Sequence, residues 1–114
     1  MRCLFILVVL VVSLFADPQR NFQMCTMCHG KYGEKAMGSK IAPQKLTKDQ
    51  LSYALTKYRD NFQTSSGNAK IMSTNVRNFS DNDIEELSAF IKQVEARRQE
   101  EMGQAADEKI KNLY

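Results

Sequence analysis

Cys25-Thr26-Met27-Cys28-His29, closed by Gly30, is the stretch from which the rest of the chain is read. Two cysteines three positions apart share one face of a single helical turn, so their sulfurs reach two neighbouring points on one rigid ligand. The histidine that follows comes next around the turn and can aim an imidazole nitrogen at the ligand's centre. That set suits a haem, with two thioethers to its vinyl groups and one imidazole on the iron.

Other uses of the pair carry different requirements. A thioredoxin-type dithiol sits between a strand and a helix of an α/β fold, and no run of such strands is apparent here. Structural zinc takes four ligands. Beyond Cys3, which lies at the very start, the chain offers Cys25, Cys28 and one histidine, and adjacent Cys28 and His29 converge poorly on one tetrahedral ion. A small disulfide beside an unrelated His29 stays open at this point.

Residues 1–16 differ from all that follows. Arg2 gives a positive start, and Cys3 to Ala16 is apolar except for Ser13. The run is short of the roughly 20 residues needed to cross a bilayer. It reads as a secretory signal cleaved after Ala16, although Leu14 is larger than the residue preferred there. An uncleaved anchor is the alternative. Bacteria attach haem by thioethers outside the inner membrane, so export would bring the motif to a suitable compartment. A secreted pair could equally form a disulfide.

What remains after Ala16 suffices for one domain with a thin core, and there is no tryptophan to bulk it out. A haem would then supply much of the core, and the chain without it is expected to fold poorly. The formal net charge of the full chain is +3. Arg20, Lys31, Lys35, Lys40, Lys45, Lys48, Lys57 and Arg59 outnumber the acids before Ser65, whereas acids outnumber bases after it. Such asymmetry steers partners of opposite sign. The bases are too scattered for a nucleic-acid footprint, and no nucleic acid is expected as a partner.

Local signals divide the chain into helices. Asp17-Pro18 is an N-cap followed by proline at the first helical position. That helix carries Phe22 and the motif, and Gly30 and Gly33 end it. Residues 31–46 read as a loop with Ile41 and Pro43 as its buried points. Thr47-Lys48-Asp49-Gln50 is a capping box, and Leu51, Ala54, Leu55 and Tyr58 recur behind it at helical spacing as far as Asp60-Asn61. Ser65 to Asn68 is a turn, and a short helix is expected over 69–74. Ser80 to Asp83 caps another helix, whose stripe is Ile84, Leu87, Ile91 and Val94, with Phe90 beside it. From Glu95 the chain is highly charged and is expected to be helical and outside the core.

His29 is the single histidine, so a second iron ligand from this chain must be something else. Methionine sulfur is the natural donor, and a Met/His pair raises the reduction potential. Met24 and Met27 belong to the attachment turn, Met37 to the loop just after it, and Met102 to the tail. Met72, between two helices, is the expected ligand. Packing in the core is the other use for any one of them.

At this point the chain resembles a known family, the small class I cytochromes c of the bacterial c553-like kind. Cys25-Thr26-Met27-Cys28-His29-Gly30 matches that family's attachment motif. Ala42-Pro43 stands where the family has a proline whose carbonyl holds the haem histidine. Residues 51–59, ending Tyr58-Arg59, are similar to a helix closed by an aromatic-Arg pair. Residues 72–91 follow its axial-methionine loop and final helix. The resemblance spans residues 19–94. It departs at Asn78-Phe79-Ser80, where Leu-Ser is commoner, and in a tail longer than the family needs.

The resemblance implies an all-α class I cytochrome c fold of about four to five short helices around one haem c. Cys25 and Cys28 would hold it covalently, and His29 and Met72 would ligate its iron. The expected organisation is a signal peptide (1–16), a cytochrome c domain (17–94) and a charged helical extension (95–114). The expected activity is single-electron transfer in the periplasm by a monomer that is not an enzyme and has no stable membrane insertion. Its expected partners are a quinol-cytochrome c reductase as donor and a terminal oxidase or cytochrome c peroxidase as acceptor. Two rivals remain: a haem with an open sixth site that binds peroxide or a gas, and a haem subunit fixed to a dehydrogenase through the tail.

Overall fold

Asp17 starts the first helix by accepting from the backbone N–H groups of Gln19 (3.1 Å) and Arg20 (3.4 Å). A computed structural model describes residues 17–38 and 40–114; the expected signal segment lies outside them. Helix α1 spans Pro18–His29 and stops at Gly30, whose φ of 84° a side chain would resist. A 3-10 turn follows at Pro43–Lys45. Helix α2 spans Lys48–Asp60, α3 Gly67–Val76 and α4 Asp81–Lys111. Among the described residues there is no strand, and no helix is long and apolar enough to cross a membrane.

Both expected capping boxes form. The Thr47 hydroxyl accepts from the Gln50 N–H (3.2 Å) while the Thr47 N–H donates to the Gln50 side chain (3.0 Å). Ser80 and Asp83 repeat the exchange at 3.1 and 2.9 Å. Each box satisfies two N–H groups that a helix start otherwise leaves unpaired.

The core is Phe22, Leu51, Leu55, Val76, Ile84, Leu87, Ile91 and Val94. The α4 stripe read from the sequence is therefore its spine, with Leu87 fully buried. Phe90 meets Phe22 edge to face, ring centroids 5.6 Å apart, which locks α1 onto α4. Helix α4 packs against α1 and α2, and α2 packs against α3. Helices α1 and α3, which carry His29 and Met72, are not a closely packed pair among the described residues.

Three expectations change. Ile41 is 52 % exposed, and the buried points of the loop are Gly33 and Ala42, with Pro43 half-buried. The short helix after the turn is longer at both ends, and its Val76 joins the core. The final helix is not short: it continues through residue 95 to Lys111 without a break, because Gly103 alone costs only about 1 kcal/mol in helix propensity. From Glu95 on it adds no residue to the core, and its stretch up to Glu101 touches the loop after His29.

Candidate functional site

The last two turns of α1 bring Cys25, Cys28 and His29 together, and the structure gives each a different setting. His29 is buried, Cys25 half-buried and Cys28 exposed. Met27, between the cysteines, is 85 % exposed, so the turn faces it away from the core.

His29 Nδ1 lies 2.7 Å from the Lys35 carbonyl oxygen. A carbonyl only accepts, so Nδ1 carries the proton and Nε2 keeps its lone pair free to bind a metal. The Lys35 N–H donates back to the His29 carbonyl at 2.8 Å, closing a small ring around the residue. Resemblance assigned this holding role to the Pro43 carbonyl. In the structure Lys35 takes it, and the Pro43 carbonyl accepts from Leu46 N–H instead. The physical reason is reach: the chain turns at Gly30 and Gly33 and comes straight back over the imidazole.

Burial pushes the Cys25 thiol up to about 11, with only partial relief from a backbone hydrogen bond. Its Sγ contacts the Asn21 carbonyl at 3.7 Å. A dithiol of the thioredoxin type sits between a strand and a helix, and the absence of any strand among the described residues argues against that use of the pair. Among the described residues no group of three or more His, Cys, Asp or Glu side chains is arranged to hold a metal ion, so the zinc reading gains nothing.

Met72 lies on α3, half-buried against the core, next to fully buried Ser73. The Ser65 hydroxyl donates to the Ser73 hydroxyl at 3.1 Å and pins this helix to the turn before it. Arg59 Nη1 donates to the Phe79 carbonyl at 3.1 Å and pairs with Asp81 at 2.7 Å, fixing the connection that leaves α3. The other methionines among the described residues are more exposed: Met24, Met37 and Met102 at 44, 56 and 60 %, and Met27 at 85 %.

The loop that carries Met37 does not stay beside His29. Instead, a Cβ on Gly38 would sit 2.5 Å from the Asn68 side chain, so the loop tip reaches the start of α3. Met37 itself has φ +46°, a conformation that strains a side chain of its type. Met72 and Met37 are therefore separated by burial rather than by distance along the chain.

The chain fits haem c in two respects: a tautomer that frees His29 Nε2, and two uncrosslinked cysteines on the same two turns. The residues missed in the sequence are Lys35, whose contribution is a backbone carbonyl, and Gln44 and Arg98, joined at 2.7 Å. None has a sequence signature.

A family model described as Cytochrome c matches residues 15–95. None of the curated proteins matches the chain. Proteins of that family bind covalently attached haem c and are typically electron carriers, and Cys25 and Cys28 lie inside the matched region. With most of its length inside the match, the chain belongs to the cytochrome c family.

Proposed function

We propose that this haem c protein carries single electrons in the periplasm, with thioethers at Cys25 and Cys28 and axial ligands from His29 and Met72. When bound, the haem supplies a reversible one-electron iron couple. The chain's own residues hold the donors in place. Lys35 fixes the His29 tautomer and ring orientation. Packing against the core restrains Met72. A thioether sulfur favours ferrous over ferric iron, so the pair sets a high potential.

The observation that carries this reading is the hydrogen bond from His29 Nδ1 to the Lys35 carbonyl, at the end of a helix that also bears both cysteines. An imidazole so held offers Nε2 alone. Donor and acceptor proteins would be a quinol-cytochrome c reductase and a terminal oxidase or cytochrome c peroxidase, met through small, short-lived interfaces. The bases between residues 20 and 59 favour an acidic partner face.

Optical spectra of the purified protein, oxidised and reduced, test the reading. A low-spin spectrum indifferent to carbon monoxide supports electron transfer. A high-spin spectrum that responds to carbon monoxide supports the open-site rival. Acidified acetone should leave the colour with the protein; haem that extracts freely removes the thioether assignment.

A further inference from the structure

Gln44 uses three separate groups, one to close the loop after the motif on itself and two to join that loop to the last helix. Its backbone N–H donates to the Gly33 carbonyl at 3.0 Å. Its carbonyl accepts from Lys92 Nζ at 2.9 Å, and its side-chain Oε1 accepts from Arg98 Nη1 at 2.7 Å. Upstream in the same loop, the Tyr32 hydroxyl donates to Glu101 at 2.8 Å, and the Arg98 guanidinium stands 5.5 Å from the Tyr32 ring centre. Between Tyr32 and Gln44 the loop presents the Lys35 carbonyl to His29. Residues 92–101 of α4 thus hold the segment on both sides of that carbonyl, and Arg98 and Glu101 lie past the end of the family match.

We propose that Arg98 and Gln44 are positioning residues for His29: they keep the Lys35 carbonyl on the imidazole N–H and so adjust how strongly Nε2 donates to the iron. This rests on the haem reading above and adds a remote determinant to it. Arg98, Gln44 and Tyr32 are all half-buried, so their contacts are less screened than those of surface pairs. A charged donor on a neutral acceptor is also stronger than a neutral pair.

The sign of the effect separates this from simple charge. A firm bond to Nδ1–H raises ligand basicity, which stabilises ferric iron and lowers the potential. Loosening the loop therefore raises the potential. Loss of the positive charge on Arg98, acting alone through space, lowers it. Gln44→Leu loosens the loop with no change of charge.

The test uses the full-length purified protein and two readouts: the midpoint potential, and the solvent exchange rate of the His29 Nδ1 proton by NMR. Gln44→Leu and Arg98→Ala should both raise the potential and speed exchange several-fold. Arg97→Ala removes the same charge from a residue over Phe90, off the loop, and should leave exchange unchanged. Gln44→Glu keeps an acceptor for Arg98 and should restore slow exchange. Unchanged exchange in both loosening variants overturns the proposal, as does a fall in potential for Arg98→Ala with no change for Gln44→Leu. Should one variant not fold, the other decides. A purified chain without covalent haem would sink the haem reading and the clamp with it, whereas unchanged exchange in variants that carry the haem sinks the clamp alone.

Discussion

Arg59 and Phe79 are joined across 20 residues of sequence: Arg59 Nη1 donates to the Phe79 carbonyl at 3.1 Å, tying the end of α2 to the residue before the α4 cap. The same guanidinium pairs with Asp81, whose side chain is 90 % exposed, whereas Arg59 is 19 % exposed. The carbonyl bond should therefore outweigh the ion pair, which water and salt screen. Arg59→Ala is expected to cost roughly 1–2 kcal/mol in denaturant unfolding, little altered by added salt. Asp81→Asn should cost much less. A strongly salt-dependent loss, or equal losses from both, would reverse that ranking.

Leu87 is fully buried in the first third of α4, and Met102 is 60 % exposed farther along the same helix. Leu87→Ala should destabilise by about 2–5 kcal/mol, since the helices around it cannot fully close the gap. Met102→Ala should stay within roughly 0.5 kcal/mol. Thermal unfolding of the two variants side by side checks the contrast, and a large loss from Met102→Ala would mean that the far end of α4 is packed.

The contacts of Arg98 and Glu101 set where the tail can be cut. Truncation after Met102 should leave stability unchanged, because every residue beyond it is exposed. Truncation after Val94 removes both contacts to the loop and should lower the melting temperature while the haem stays attached. Equal melting temperatures for the two truncations would show that residues 95–101 add nothing to the fold.

Export can be read by mass. The proposed cleavage after Ala16 gives a mature chain beginning at Asp17, the residue that caps α1. Its intact mass should equal residues 17–114 plus one haem. A purified protein retaining residues 1–16 would favour the anchored alternative.

The parts legible in the sequence are those whose physics is local. Asp17, the Thr47–Gln50 box and the Ser80–Asp83 box act within one turn, and the structure forms all of them. The stripe from Ile84 to Val94 was readable because its period matches a helix. The Cys25–His29 motif was readable because its chemistry needs fixed spacing. The Lys35 carbonyl was not, since any residue supplies one and only the loop's path brings it to His29. Arg98 on Gln44 spans 54 residues of sequence, and nothing in either residue names the other. Met37 follows His29 closely in sequence, yet its neighbour Gly38 lies against Asn68. The loop's course, which composition leaves open, decides all three.

Ligation of a covalently held haem by His29 and Met72 is read from the weak near-infrared band of methionine sulfur to ferric iron. The band should be present in the oxidised protein. Met72→Ala should abolish it, lower the midpoint potential and let carbon monoxide bind, while Met37→Ala should do none of these. A cavity at Met72 costs stability but does not itself remove a sulfur–iron band. A band that survives Met72→Ala and disappears in Met37→Ala would contradict the assignment and transfer the sixth position to the loop after His29.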